Sequence, residues 1–138
     1  MTEPTLLLTQ QWLFKALSDL ESARHLASGQ IPHLDTAIYH CQQCAEKAVK
    51  GFLVFRGHEP EWTHDVAHLI EIAATYEPDL ATLLAYGAEL APYATAFRYP
   101  SEANDLMPSQ DQFDSAILAA QRIFEFVCGV LPTQTWPD

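Results

Sequence analysis

The chain has 138 residues, a formal net charge of -11, 49% hydrophobic and 18% charged residues, and 5 glycines. That is the length of one domain, with enough apolar content for a single sizeable core and none of the bias of a disordered chain. The acidity excludes a general nucleic-acid coat, which needs a basic surface, but leaves room for a small basic pocket.

Met1 to Thr9 shows no basic region followed by a long apolar run, so no signal peptide is expected. No apolar run approaches the ~20 residues that cross a bilayer. Three cysteines leave at least one unpaired, and a cytoplasmic protein with reduced thiols is expected.

Spacing of apolar residues predicts helix 1 from about Thr9 to Ser28, with Trp12, Ala16, Leu20, Ala23 and Ala27 inward and Gly29 as its stop. Gln30 to Leu34, which holds Pro32, connects it to helix 2. That helix starts near Asp35 as N-cap and runs to Arg56, ending at Gly57. Two helices of this length suit a long antiparallel pair. His58 to Trp62 is a loop. Thr63 is placed to cap a short helix 3 from His64 to Tyr76, with Val66, Leu69, Ile70 and Ala73 inward.

Pro78 breaks helix 3, and Asp79 caps helix 4, about Leu80 to Ala96, with Leu83, Leu84, Ala88 and Ala91 at core spacing. Pro92 falls inside that helix and predicts a kink or a break. Phe97 to Pro108 lacks periodicity and is a loop. Ser109 caps helix 5, whose stripe of Ile117, Ala120, Ile123, Phe124 and Val127 continues to about Val130. The expected fold is all-α, an up-and-down four-helix bundle with an additional short helix. The domain spans residues 1–131, and residues 132–138 form a loose tail in which Trp136 either docks or stays exposed.

Helix 2 carries the most informative pattern. His40, Gln43, Lys47 and Lys50 step by 3, 4 and 3 and share one face, while Ala37, Cys41, Cys44, Ala45, Ala48 and Phe52 supply the buried one. A row of long donors beside an apolar stripe suggests a ligand or a partner. Lys47, Lys50 and Arg56 gather three of the seven Lys and Arg residues within ten positions. An acidic body with such a strip fits a small anionic ligand or a basic partner. Lys47 and Lys50 suit phosphate as point charges, and Arg98 adds a planar fork. The plainer alternative is a solvated face in which Glu46 and Lys50 form an ordinary i,i+4 pair.

Asp19 lies on the Trp12–Ala16–Ala23 face of helix 1, where a partly buried carboxylate needs a partner, and Lys47 and Arg98 are the candidates. Cys41-Gln-Gln-Cys44 has Cys-x-x-Cys spacing, but it sits mid-helix and has no second pair, so buried small side chains are the better reading. His64 and His68 stand at i and i+4, as do His40 and Cys44. The acid after His64 is Asp where a zinc protease has Glu, and nothing places these pairs together, so no metal is assigned. His64 is better read as helping to cap helix 3 or forming a hydrogen bond in a cleft. There is no Gly-rich phosphate loop, Ser-His-Asp arrangement or Gly-x-Ser-x-Gly turn.

Taken in order, several groups of residues resemble the HEPN family of α-helical nucleotide-binding domains. They are Trp12…Ala16…Asp19-Leu20…Ala23, His40-x-x-Gln43-x-x-Glu46-Lys47-x-x-Lys50, Thr63-His64-Asp65 with Leu69, Arg98-Tyr99-Pro100 and the Ala-rich last helix. The resemblance spans nearly the whole chain. It implies four long helices plus a short one, usually dimeric, with polar residues lining a cleft near the pairing surface. It also implies a minimal nucleotidyltransferase as partner. Ribonuclease relatives use an Arg followed after four to six residues by His. Here Arg98 is followed by Tyr-Pro-Ser-Glu-Ala-Asn-Asp, and the last histidine is His68. RNA cleavage through the 2′-hydroxyl uses a general base and acid, usually His, so nuclease activity is not carried over.

The expectation is therefore a binding module for a nucleotide or other phosphate-bearing ligand. Its ligand-binding candidates are Asp19, His40, Gln43, Lys47, Lys50, His64 and Arg98, with no catalytic residue, no cofactor and no metal. A homodimer and a nucleotidyltransferase are the expected partners; RNA is not favoured and a membrane is excluded. The second reading is a dimerisation or partner-docking module of a two-part, toxin–antitoxin-like system. A divergent, metal-independent ribonuclease using His40 or His64 stands third.

Overall fold

A computed structural model describes residues 2–100 and 105–137. It contains α1 (Glu3–Ala27), α2 (Leu34–Phe55), α3 (Val66–Ala74), α4 (Leu84–Leu90) and α5 (Gln110–Gly129). Three short 3-10 segments accompany them, at Pro78–Leu83, Ala91–Ala94 and Thr133–Thr135. No strand occurs among the described residues. The fold is the expected all-α bundle, with α1 and α2 as its most extensive pairing and α5 packed along α2. Among the described residues no helix is long and apolar enough to cross a membrane.

Local chemistry explains where the helices start and stop. α1 begins six residues before the expected Thr9, because Pro4 sits in its first turn and Thr2 caps it by accepting from the Thr5 amide. Pro is suited to that turn, whose amides have no helical partner. α2 ends in a Schellman motif: the His58 amide donates to the Leu53 carbonyl and the Gly57 amide to Val54, with Gly57 at φ 76. Asp65, rather than Thr63, caps α3 by accepting from the His68 amide, so α3 starts at Val66. Thr63 instead accepts from the Asp65 amide one step earlier. Ser109 caps α5 as expected, in a full capping box with Gln112.

The fourth helix departs from expectation. Only Leu84–Leu90 is α-helical, with 3-10 turns on both sides, and Pro92 lies in the second of these. A 3-10 turn advances three residues instead of 3.6 and so shifts the buried face. The side chains that reach the core are Leu80, Leu83 and Leu90, while Leu84 is half-buried and Ala88 exposed. In α1 the buried face holds Leu13 rather than Trp12, which is half-buried, as is Ala27. The inward residues expected of helices 2 and 3 are all buried.

Helix α4 also approaches α3 closely. A Cβ at Gly87 would lie 3.1 Å from the Ala67 Cα and 2.7 Å from Ile70 Cδ1, so only glycine allows this crossing without a shift. The residues after α5 are less loose than expected. Thr135 is fully buried, and the Trp136 indole donates to the Cys128 carbonyl at 2.7 Å.

Candidate functional site

Three networks radiate from α2, and α1 supplies the anchor of the first. The Asp19 carboxylate receives the Lys47 ammonium at 2.6 Å on Oδ2 and lies 2.7 Å from His40 Nδ1 through Oδ1. Asp19 is almost entirely covered, whereas Lys47 and His40 each keep about a quarter of their side chain exposed. The acid on α1 is thus satisfied from both sides by residues two turns apart on α2 (i and i+7), which fixes the rotation of one helix against the other. Arg98, the other candidate partner for Asp19, is engaged elsewhere.

The second network is centred on Glu46, which helical spacing marks only as the partner of Lys50. Its Oε1 accepts from Gln42 at 3.0 Å, lies 2.8 Å from His64 Nδ1 and is 3.4 Å from the Gln43 amide nitrogen. Its Oε2 accepts from Lys50 at 3.1 Å. Gln42 also donates to the His64 carbonyl, and Gln43 to the Gln42 side-chain oxygen. Burial pushes the Glu46 carboxyl upward, but hydrogen bonds from Gln42, His64 and Lys50, with the Lys50 charge, outweigh it and hold the group below its ordinary range. This cluster ties α2 to the loop that enters α3.

The placement revises the expected open lysine row. Gln43 and Lys50 are buried, Lys47 is about three-quarters covered, and the Lys50 ammonium faces Glu46 inside the protein. The Glu46–Lys50 pair is the expected i,i+4 pair, but it is internal rather than solvated. Gln42, which is fully buried, was not singled out. The signal available was its position four residues before Glu46 and eight before Lys50, on a single helical row.

The third feature is an open cleft of about 280 Å³ lined by Asp35, Thr36, Tyr39, His40, Phe97 and Arg98. Arg98 lays its guanidinium over Tyr39, with the central carbon 3.9 Å from the ring centroid, and makes no ion pair with a described residue. Phe97, just before it, is the one non-glycine residue with positive φ (65°) among the described residues. That conformation costs on the order of 1–3 kcal/mol. Stacking of Phe97 on Tyr93, at 6.1 Å between centroids, helps hold it and turns the chain so that Arg98 reaches α2. Neither Tyr39 nor Phe97 was identified from sequence. Tyr39 occupies the position before His40 and one turn after Asp35, a placement that a periodicity count does not mark as special.

Asp19, His40 and Lys47 therefore form one network, Arg98 adjoins it only through the cleft that it lines together with His40, and Gln43, Lys50 and His64 belong to the Glu46 cluster on a neighbouring face of α2. His68 pairs with Glu61 at 2.9 Å and does not join His64. Cys41 and Cys44 are both buried. Burial pushes the Cys41 thiol up to about 12 despite the nearby Arg24 charge, and raises Cys44 well above its ordinary value. A low-pKa redox pair is the opposite situation. Among the described residues no three His, Cys, Asp or Glu side chains form a group able to hold a metal ion.

The profile of the HEPN domain matches residues 9–131. Two solved structures are similar to this chain. One is ST0689, described as an archaeal HEPN homologue, at 34% identity over 88% of this chain and 95% of that one, with a TM-score of 0.71. The other is TT1696 from Thermus thermophilus, at 28% identity over 89% of this chain and 98% of that one, with a TM-score of 0.73. No curated protein matches the chain. The family profile over most of the length, together with the shared helical fold, establishes that the chain belongs to the HEPN domain family.

Proposed function

We propose that this HEPN domain is a binding module for a phosphate-bearing ligand, a nucleotide foremost, held in the cleft between the start of α2 and the Phe97–Arg98 corner. One observation carries the reading: a strained backbone delivers Arg98 over Tyr39, beside His40 and an open cleft of about 280 Å³. A stacked guanidinium keeps its edge donors free for phosphate oxygens while its face is covered. His40 and Thr36 add directional hydrogen bonding, while the Lys47 charge is taken up by Asp19. Asp19 holds Lys47 and His40 in place, while Gln43, Lys50 and His64 act indirectly by fixing the α2 wall. A minimal nucleotidyltransferase remains the proposed partner, on the strength of family membership. A thermal-shift screen against nucleoside mono-, di- and triphosphates, with and without Mg²⁺, tests the ligand reading. Saturable stabilisation that is lost in Arg98→Ala supports it, and a flat response across the series contradicts it.

A second reading is favoured by a specific observation. Phe14, Leu7 and Leu8 on α1 and Leu118 on α5 are large apolar side chains with roughly half their surface exposed. Exposed apolar side chains of this size suit a homodimer or a docked partner in a two-part system. Light scattering of the purified chain tests it: a dimer converted to monomer by Phe14→Glu supports the reading, and a monomeric wild type removes the homodimer.

A further inference from the structure

The two Asp19 contacts constrain the chemistry of His40. A carboxylate that also accepts from the Lys47 ammonium offers only acceptor oxygens, so at 2.7 Å His40 Nδ1 must be the donor and carries a proton whether the ring is neutral or charged. Nε2 is then the one ring nitrogen whose protonation can change. His40 lines the Arg98 cleft and also borders a wider groove along α1 that holds Glu21 and His25. The charged and titratable groups around the ring are thus Asp19, Glu21 and His25 from α1, Asp35, Tyr39 and Lys47 from α2, and Arg98 from the loop.

The charge inventory of the cleft limits its ligand. Arg98 and Asp35 line the same space and cancel formally. Lys47 is committed to Asp19, and Lys50 is enclosed with Glu46. A net positive cleft therefore requires a proton on His40 Nε2, and its volume of about 280 Å³ lies just below the usual range of ~300–1,000 Å³ for small-molecule sites.

We propose that the cleft selects a single phosphate monoester and takes up a proton with it, with Arg98 and the Nε2–H of His40 donating to the phosphate and Asp19 acting as the positioning residue that fixes the ring. This rests on the phosphate-ligand reading and narrows it to monophosphates. The proton comes from solvent and returns there on release, and no bond in the ligand breaks. A triphosphate chain carries several more negative charges than the cleft can balance. By linkage, a ligand that favours the protonated ring loses affinity as pH rises, by up to about tenfold per unit for one proton.

Isothermal calorimetry of the full chain with AMP, ribose 5-phosphate, inorganic phosphate and ATP tests this. Titrations at about pH 7.5, in two buffers of different ionisation enthalpy, count the protons; the monoester is already dianionic there because its second pKa is near 6. Expected results are proton uptake with AMP, an affinity that falls as pH rises, ATP no tighter than AMP, and loss of the uptake in His40→Gln. Ribose 5-phosphate binding as tightly as AMP assigns recognition to the phosphate end, whereas inorganic phosphate matching both means that the ester group is not read and overturns that part. Nitrogen-15 NMR should show His40 Nδ1 protonated throughout the titration, and Asp19→Asn should release the ring into both tautomers. AMP binding without proton uptake, uptake retained in His40→Gln, or ATP binding more than tenfold tighter overturns the inference while leaving the phosphate site standing. If none of the four compounds binds, the phosphate-ligand reading itself falls, and this inference with it.

Discussion

Lys50 and Glu46 face each other inside the protein: the ammonium lies 3.1 Å from the carboxylate oxygen, and both side chains are more than nine-tenths covered. A lysine that sequence periodicity assigns to a donor row is thereby part of the scaffold. Removing Lys50 leaves the buried Glu46 Oε2 without its cation while Gln42 and His64 still hold Oε1, so Lys50→Ala is expected to lower stability by about 3 kcal/mol. Lys50→Met combined with Glu46→Gln removes both charges and should recover much of that loss. Chemical denaturation of the single and double variants measures both. A Lys50→Ala protein of wild-type stability would refute the buried pairing.

The same carboxylate makes a pH prediction. Glu46 is held below its ordinary value of 4.5 because the donors around it outweigh burial. The unfolded chain binds its proton first, so this group's stabilisation is fully present above about 4.5 and is lost as pH falls through the lower folded value. Stability measured downward from about pH 5 should decline less steeply in Glu46→Gln than in the wild type. Parallel slopes would show that the group does not titrate between the two states as described.

The thiols should be inert while the protein is folded. Cys41 is pushed up to about 12 and Cys128 to about 11, chiefly by burial, and Glu125 adds to the rise at Cys128. At about pH 8 roughly one part in a thousand of Cys128 is then thiolate. A thiol-reactive dye should label the native protein slowly and all three cysteines rapidly in denaturant. Fast labelling of Cys41 or Cys44 in the native state would restore the redox reading that their spacing invites.

Much of the fold was legible because it depends on spacing. Ala37, Cys41, Cys44, Ala45, Ala48 and Phe52 are all buried, as their helical period requires. Two failures share a cause: local period says nothing about what packs against a face. Lys50 and Gln43 read as a polar stripe, yet His64 arrives from the loop before α3 and closes over their side as a partner for Glu46. In the fourth helix the period itself changes, because Pro78–Leu83 is a 3-10 segment, so Ala88 faces solvent where an uninterrupted α-helix would bury it.

The candidate site was legible by residue type but not by grouping. The position of Asp19 on the inner face of helix 1 calls for a cation, and Lys47 supplies it. The contact between Arg98 and Tyr39 joins residues 59 positions apart through a left-handed Phe97. Neither the turn nor the aromatic platform leaves a periodic trace, and a bulky residue at positive φ is not something composition predicts.

Arg98 serves a ligand rather than the fold, if the proposed function holds. Calorimetric titration of AMP into the wild type and Arg98→Ala, with unfolding temperatures recorded on the same samples, tests this directly. Losing an exposed cation–π contact costs only about 0.5–1 kcal/mol of stability. The expected result is a nearly unchanged unfolding temperature with affinity reduced at least tenfold, about 1.4 kcal/mol or more. Equal affinity in the two proteins, or an Arg98→Ala variant that unfolds, would contradict it.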